Sequence, residues 1–199
     1  MSDRKRKYEK RRRAEAEAQT RLRITESAVE LHGSLGPART SMSAVAEHAG
    51  VRRSTLYRHF PDERALFGAC SAHWGEANPP PDLGAWSAIA DPAQRLDAAL
   101  AELYAYYRQT EGMLDKLLRD EATMPVVGEL MGGFHAFLAA ASDVLMRGRG
   151  LRGKARDRTR AAIGHGLGFR TWQDLTGAQG LSDPEAVALM SRLVAAATE

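Results

Sequence analysis

The sequence predicts an all-α protein of about nine helices: an N-terminal three-helix domain built on a helix-turn-helix, then a larger C-terminal helical domain. Three observations carry this. Apolar residues recur at spacings of three and four along most of the 199 residues, and no useful length alternates with period two. Breakers fall in clusters, at Asn78-Pro-Pro-Pro-Asp82, at Arg147-Gly-Arg-Gly-Leu-Arg-Gly153 and at Ser182-Asp-Pro184. Between residues 43 and 60 two short helical patterns meet at a single glycine, Gly50.

Residues 1–19 form a basic arm, with Arg4-Lys-Arg-Lys7 and Lys10-Arg-Arg-Arg13. Such a run is expected to be disordered in isolation. It can track phosphates or lie in a minor groove, or it is a solubility tail or a helix extension. Ala14-Glu-Ala-Glu-Ala18 has high helix propensity and favours an extension.

Residues 20–74 read as the helix-turn-helix domain. Its first helix passes through Ile24 and Ala28, and Leu31 to Thr40 is rich in breakers. Thr40 or Ser41 is expected to cap the second helix, which carries Val45, Ala46 and Ala49 on a small apolar face. Gly50 stands where the chain must turn sharply, a conformation open to glycine at little cost. Val51 and Leu56 plug the third helix against the second, and small Ala46 lets the axes approach. Asp62 starts a fourth helix to about Trp74.

Residues 75–199 read as the second domain. Asp91-Pro92 starts a helix with Leu96, Leu100, Leu103 and Tyr107, and Glu111-Gly112 is expected to break it. A short helix follows through Leu114, Leu117 and Leu118, then a long one over residues 125–147. The basic glycine loop at 147–153 lacks the strand and the Lys-Ser/Thr ending of a phosphate cradle and reads as a connector. Helices over about 155–176 and after Ser182-Asp-Pro184 complete the chain.

Charge is segregated. Residues 1–70 hold fifteen Lys/Arg against nine Asp/Glu, a net of +6, whereas residues 71–199 hold thirteen against sixteen, a net of −3. A basic head on a mildly acidic body suits contact with nucleic acid at one end. Arg52 and Arg53 open the third helix, where recognition helices meet base edges, and arginine pairs well with guanine. Ser54, Thr55, Tyr57 and His59 offer groups for phosphate oxygens. The lone cysteine, Cys70, excludes an internal disulfide and fits a reducing compartment. No apolar run reaches the roughly 18 residues of a membrane span, and the charged start is unlike a secretory signal. The expectation is a cytoplasmic protein. The six histidines are scattered, and Cys70 with His73 gives only two potential metal ligands. No enzymatic activity, cofactor or metal is expected. Other readings are DNA binding without an effector, a helical protein–protein adaptor or a small all-α enzyme.

The run Ile24-Thr-Glu-Ser-Ala28, Ala46-Glu-His-Ala-Gly50-Val51, Thr55-Leu56-Tyr57-Arg58-His59-Phe60-Pro61 and Ala65-Leu66-Phe67 resembles the TetR-type one-component transcription regulators. The resemblance covers about residues 20–70. It implies that Thr55, Tyr57 and His59 hold phosphates and that Arg52 and Arg53 lie at the groove. Arg52 stands where the family usually has a capping serine. Glu63-Arg64 stands for the family's Lys-Glu, so Arg64 is a substitute phosphate contact. The candidate DNA-binding residues are Thr40, Ser43, Arg52, Arg53, Ser54, Thr55, Tyr57, Arg58, His59 and Arg64.

A second, looser resemblance lies in Tyr104-Ala-Tyr-Tyr107-Arg108, in Met113 to Asp120, and in Gly166-Leu-Gly-Phe-Arg-Thr-Trp172. It implies an effector pocket enclosed by the middle helices and a homodimer formed by the last two. Candidate pocket residues are Tyr104, Tyr107, Leu114, Leu117, Met131, Phe134, His135, Leu138 and Trp172. Tyr107 and His135 need polar partners, which a ligand, water or a backbone carbonyl can supply. Candidate dimer residues are Ile163, Leu167, Arg170, Val187, Met190 and Val194. The implied partners are a palindromic double-stranded operator, a small apolar effector and a second copy of the chain. The implied function is that of a repressor released by its effector.

Overall fold

The structure, a computed structural model, describes residues 3–198, which contain ten α-helices and no strand. The first is α1, Asp3–Ser34. The basic arm is therefore helical along its described length rather than an unstructured tail; its first two residues lie outside the described ones. Alanine, glutamate, arginine and lysine are strong helix formers, and the Arg11–Glu15 ion pair at 3.3 Å adds an i,i+4 contact.

The chain divides into two compact units: Met1–Asn78 with Gly112–Met131, and Pro79–Glu111 with Gly132–Glu199. In the first unit, α1 packs on α2 (Met42–His48) and α4 (Glu63–Ala77), and α2 packs on α3 (Arg53–His59). Ser41 caps α2 by accepting from Ala44 N at 3.2 Å, and Asp62 caps α4 by accepting from Ala65 N at 2.8 Å. Ile24 and Ala28 of α1, Val45, Ala46 and Ala49 of the turn region, Leu56, Phe60 and Leu66 form one buried cluster. Gly50 adopts φ +63° between α2 and α3, and Val51 N donates back to Ala46 O at 2.9 Å. A side chain at Gly50 is disfavoured by the left-handed backbone alone.

The second unit contains α5 (Leu83–Ala88), α7 (Pro125–Met146) from Gly132 on, α8 (Gly153–Gly166), α9 (Phe169–Gln173) and α10 (Asp183–Ala196), with the first part of α6 (Pro92–Asp120). Its buried residues include Trp86, Leu100, Leu103, Tyr104, Tyr107, Leu145, Ile163 and Trp172. Ser182 and Glu185 form a capping box at the start of α10.

Three sequence expectations are corrected. The expected break at Glu111-Gly112 does not occur, because α6 runs unbroken to Asp120. One helical glycine costs only about 1 kcal/mol relative to alanine, which good helix formers on either side offset. The expected helix over 155–176 is divided, since α8 ends at Gly166 and α9 begins at Phe169, followed by a π-helical turn at Asp174–Ala178. The α8 end is fixed from α6: Tyr104 Oη donates to Gly166 O at 2.9 Å and Tyr107 Oη to Leu167 O at 2.6 Å. These are carbonyls that a helix terminus leaves without partners. Finally, α5 was not expected and raises the number of helices to ten. Asp82 caps it through Gly84 N at 2.7 Å, and Trp86 anchors it, donating from Nε1 to Glu102 at 2.7 Å.

Candidate nucleic-acid interface

The seven residues of α3 divide cleanly by face. Leu56 is buried against α2, and Phe60, just past the helix end, is buried in the same core. Arg53, Ser54, Tyr57 and Arg58 are exposed, as is Arg52 before the helix; Tyr57 keeps 41% of its surface. An aromatic ring and three guanidinium groups, Arg52 just ahead of the helix among them, thus stand outward, opposite the buried Leu56 and Phe60. Arg52 occupies the N-cap position in extended conformation and supplies no side-chain cap. The family's serine cap has no replacement here, and Ser54 takes no part.

Thr55 and His59 are half-buried, and His59 Nε2 is enclosed without a hydrogen-bond partner. Ser43 is half-buried in the first turn of α2. Thr40 spends its hydroxyl on Gly36 O at 2.8 Å. Arg64 is exposed but forms an ion pair with Glu129. The ten candidates therefore fall into an outward group of Arg52, Arg53, Ser54, Tyr57 and Arg58, two half-buried neighbours on α3, and three residues elsewhere.

Two contributors escaped the sequence reading. Arg21 of α1 donates from Nη1 to His59 O at 2.7 Å and lays its guanidinium 4.2 Å over the Phe60 ring. It thereby caps the C-terminal end of α3 with a cation, as the helix dipole favours. The signal was available: Arg21 lies three and seven residues before Ile24 and Ala28, on the core-facing stripe.

The other is a latch at the end of α6. Asp120 accepts from Ala38 N at 2.9 Å, while Arg119 donates to Leu35 O at 3.2 Å and pairs with Asp120 at 2.7 Å. These contacts hold the loop that leads into α2. Gly36, at φ +96°, admits them, since a Cβ there would overlap the Arg119 guanidinium and sit 2.8 Å from Asp120 Oδ2. The Arg119 hydrogen bond holds the Asp120 carboxyl below its ordinary value of 3.8, so its stabilisation is present above that value and disappears as pH falls through the lower folded value. Asp120→Asn is expected to cost roughly 1–3 kcal/mol at neutral pH. In thermal melts the gap to the unaltered chain should close below about pH 4; a gap independent of pH would remove the carboxylate from this role.

The pocket and dimer candidates are dispersed. Tyr104 and Tyr107 are buried, and both hydroxyls are occupied by the carbonyls named above. Burial raises both tyrosines above their ordinary value, so they stay neutral donors. Around Tyr107 lie Phe134, Phe169 and Trp172, with ring centroids 6.4, 5.3 and 5.8 Å away. Trp172 donates to Asp183 at 2.9 Å. Leu138 is half-buried and His135 exposed. These residues belong to the second unit, whereas Leu114, Leu117 and Met131 belong to the first. Leu117 lines a small, partly open apolar pocket of about 40 Å³ with Val29, His32, Phe67, Cys70 and Trp74. His32 stacks on Phe67 at 4.7 Å, and burial lowers its pKa to about 4, so it acts as a neutral aromatic. Of the dimer candidates, Ile163, Leu167, Met190 and Val194 are buried within the subunit itself; Val187 is half-buried and Arg170 exposed. Their helical stripe faces the unit's own core. The outward apolar residues of α10 are instead Leu189 and Leu193, which keep 42% and 43% of their surface.

Among the described residues no group of three or more His, Cys, Asp or Glu could hold a metal ion, and no helix is long and apolar enough to cross a membrane. Helices α2 and α3, joined at Gly50 with the polar face of α3 outward, form a helix-turn-helix. Residues 24–70 match the family model of bacterial regulatory proteins, tetR family. No curated protein matches the chain. Among solved structures, a TetR-like transcriptional regulator from Rhodococcus sp. RHA1 superposes with TM-score 0.64 at 18% identity, covering 88% of this chain and 93% of that one. An engineered variant of HlyIIR gives TM-score 0.64 at 18% identity, covering 92% and 99%. Residues 24–70 thus match the N-terminal domain that this family model describes, and the chain as a whole shares its all-helical fold with these solved structures.

Proposed function

We propose that this chain is a transcriptional repressor that binds a palindromic operator as a homodimer and is released by a small apolar effector. The observation that carries the DNA-binding part is the face of α3: Arg52, Arg53, Tyr57 and Arg58 are exposed while Leu56 and Phe60 anchor the helix from behind. Arg53, in the first turn, is the residue assigned to base edges; Tyr57 and Arg58 hold phosphates. A dimer follows from the small footprint of one such helix, since two related by two-fold symmetry read half-sites about 34–36 Å apart. Leu189 and Leu193 of α10 are the surface offered to the partner copy.

The effector part rests on the apolar lining of the pocket at Leu117. At about 40 Å³ it is far smaller than the roughly 300 Å³ of a drug-sized site. An effector must therefore bind a more open form, and it weakens DNA binding by its preference for that form and no more. Regulation by binding, without catalysis, is the reading adopted.

Selection of bound duplexes from random DNA supplies the operator. On that duplex Arg53→Ala is expected to lose about 1–3 kcal/mol, roughly fivefold to 150-fold in affinity, and to relax preference at one position of each half-site. Full affinity and selectivity in the variant would overturn the assignment of α3.

A further inference from the structure

The part of α1 ahead of Arg21 is a helix that the buried core of the first unit does not use. From Arg4 to Arg23 every described side chain is exposed except Glu9 and Thr20, which are half-buried. A helix in a globular unit usually forms because one stripe is apolar and buried. Here the large apolar residues are Tyr8 and Leu22, which keep 54% and 44% of their surface. Residues 3–13 instead hold eight Lys/Arg against two Asp/Glu.

We propose that this segment is a cationic rod that lies along the sugar–phosphate backbone of the duplex flanking each half-site. The inference rests on the DNA-binding reading above. Its placement follows from the foot of the rod. Arg21 ties α1 to the last carbonyl of α3, at His59, and covers Phe60. A groove lined by Arg13, Ala16, Glu17, Thr20, Arg58 and His59 then joins α1 to the outward end of α3. At about 1.5 Å per residue, the block from Arg4 to Arg13 extends from roughly 12 to 25 Å beyond Arg21 along the helix axis. That reach carries it past the recognition helix and onto neighbouring duplex.

The form of the segment selects the contact. A helix about 10–12 Å across does not enter a minor groove about 6 Å wide, so the minor-groove role open to an extended arm is closed to this one. Cations distributed around a helix meet phosphates, which carry charge but no sequence. The rod therefore adds affinity and salt dependence without adding selectivity. A membrane surface is the weaker partner, because an interfacial helix needs an apolar face to bury. A coiled coil needs an apolar seam, which is also lacking.

The test compares the full chain, a chain lacking residues 2–13, and a full-length variant carrying Lys7→Gln, Lys10→Gln, Arg11→Gln and Arg12→Gln, which keeps helix propensity. Each is titrated over a range of salt against the selected operator with flanks of about 2 or 12 base pairs. The full chain should bind the long duplex at least tenfold more tightly than the short one, with a steeper salt slope, since each phosphate contact contributes about 0.9 to that slope. Both altered chains should lose the flank dependence and the extra slope while preferring the same operator sequence. Equal slopes and flank independence in all three would overturn the proposal and leave the regulator intact. So would anionic vesicles that bind the full chain alone while DNA binding is unchanged. Failure of all three to bind any duplex would overturn the DNA-binding reading itself.

Discussion

Arg95→Ala is expected to be among the most damaging single substitutions in the second unit, lowering stability by roughly 3–5 kcal/mol. Arg95, in the first turn of α6, is almost fully buried. Its guanidinium donates to four main-chain carbonyls: Nε to Ile89 O at 2.8 Å, Nη2 to Ala90 O at 3.0 Å, and Nη1 to Val144 O and Arg147 O at 3.0 and 2.8 Å. Two of these carbonyls lie just after α5 and two at the C-terminal end of α7, where the last turn leaves acceptors open and the helix dipole favours a cation. Alanine would strip all four at once and leave a void. Lysine keeps the charge but not the planar fork, so Arg95→Lys should recover only part of the loss. In a domain of this size the alanine change should lower the melting temperature by about 6–20 °C. A drop of less than about 2 °C would show that water or a local shift replaces the guanidinium.

Phe60→Ala should strike the first unit with similar force, roughly 3–5 kcal/mol from the buried ring alone. Phe60 has no exposed surface, closes α3 by donating from its N–H to Leu56 O at 2.8 Å, and supports the Arg21 guanidinium on its face. The cation–π contact adds about 0.5–2 kcal/mol to what is lost. Amide hydrogen exchange reads this locally. Exchange in α2 and α3 should accelerate by a hundredfold or more, while Leu100 and Leu103 in the second unit keep their protection. Phe60→Leu, which keeps most of the volume, should recover the greater part. Unchanged exchange in α3 would mean that the helix is held from elsewhere.

What was legible in the sequence follows from the range of the interactions involved. The turn at Gly50, the plugs Val51 and Leu56, and the caps at Ser41, Asp62 and Ser182 are local, each set by residues within one or two turns. The outward group on α3 was legible for the same reason, since one buried leucine decides which way a seven-residue helix faces. The long-range contacts were not. The glycines at 164, 166 and 168 weaken the helix there, but the tyrosines that take its last carbonyls lie about sixty residues earlier. Arg64 suits phosphate by sequence, yet its partner Glu129 lies 65 residues away. The stripe of Ile163, Leu167, Met190 and Val194 has the spacing of an interface, but an apolar stripe does not reveal whether it faces its own core or a second subunit.

The burial of the lone cysteine has a consequence for watching the molecule at work. Cys70 lies in the core beside Thr25, to whose carbonyl its thiol points at 3.8 Å, and burial pushes its pKa up to about 12. In the closed form it offers neither thiolate nor access to an alkylating reagent. Labelling must await a transient opening of α1 from α4, so its rate is a clock for that opening, built into the unaltered chain and free of interference from any other sulfhydryl.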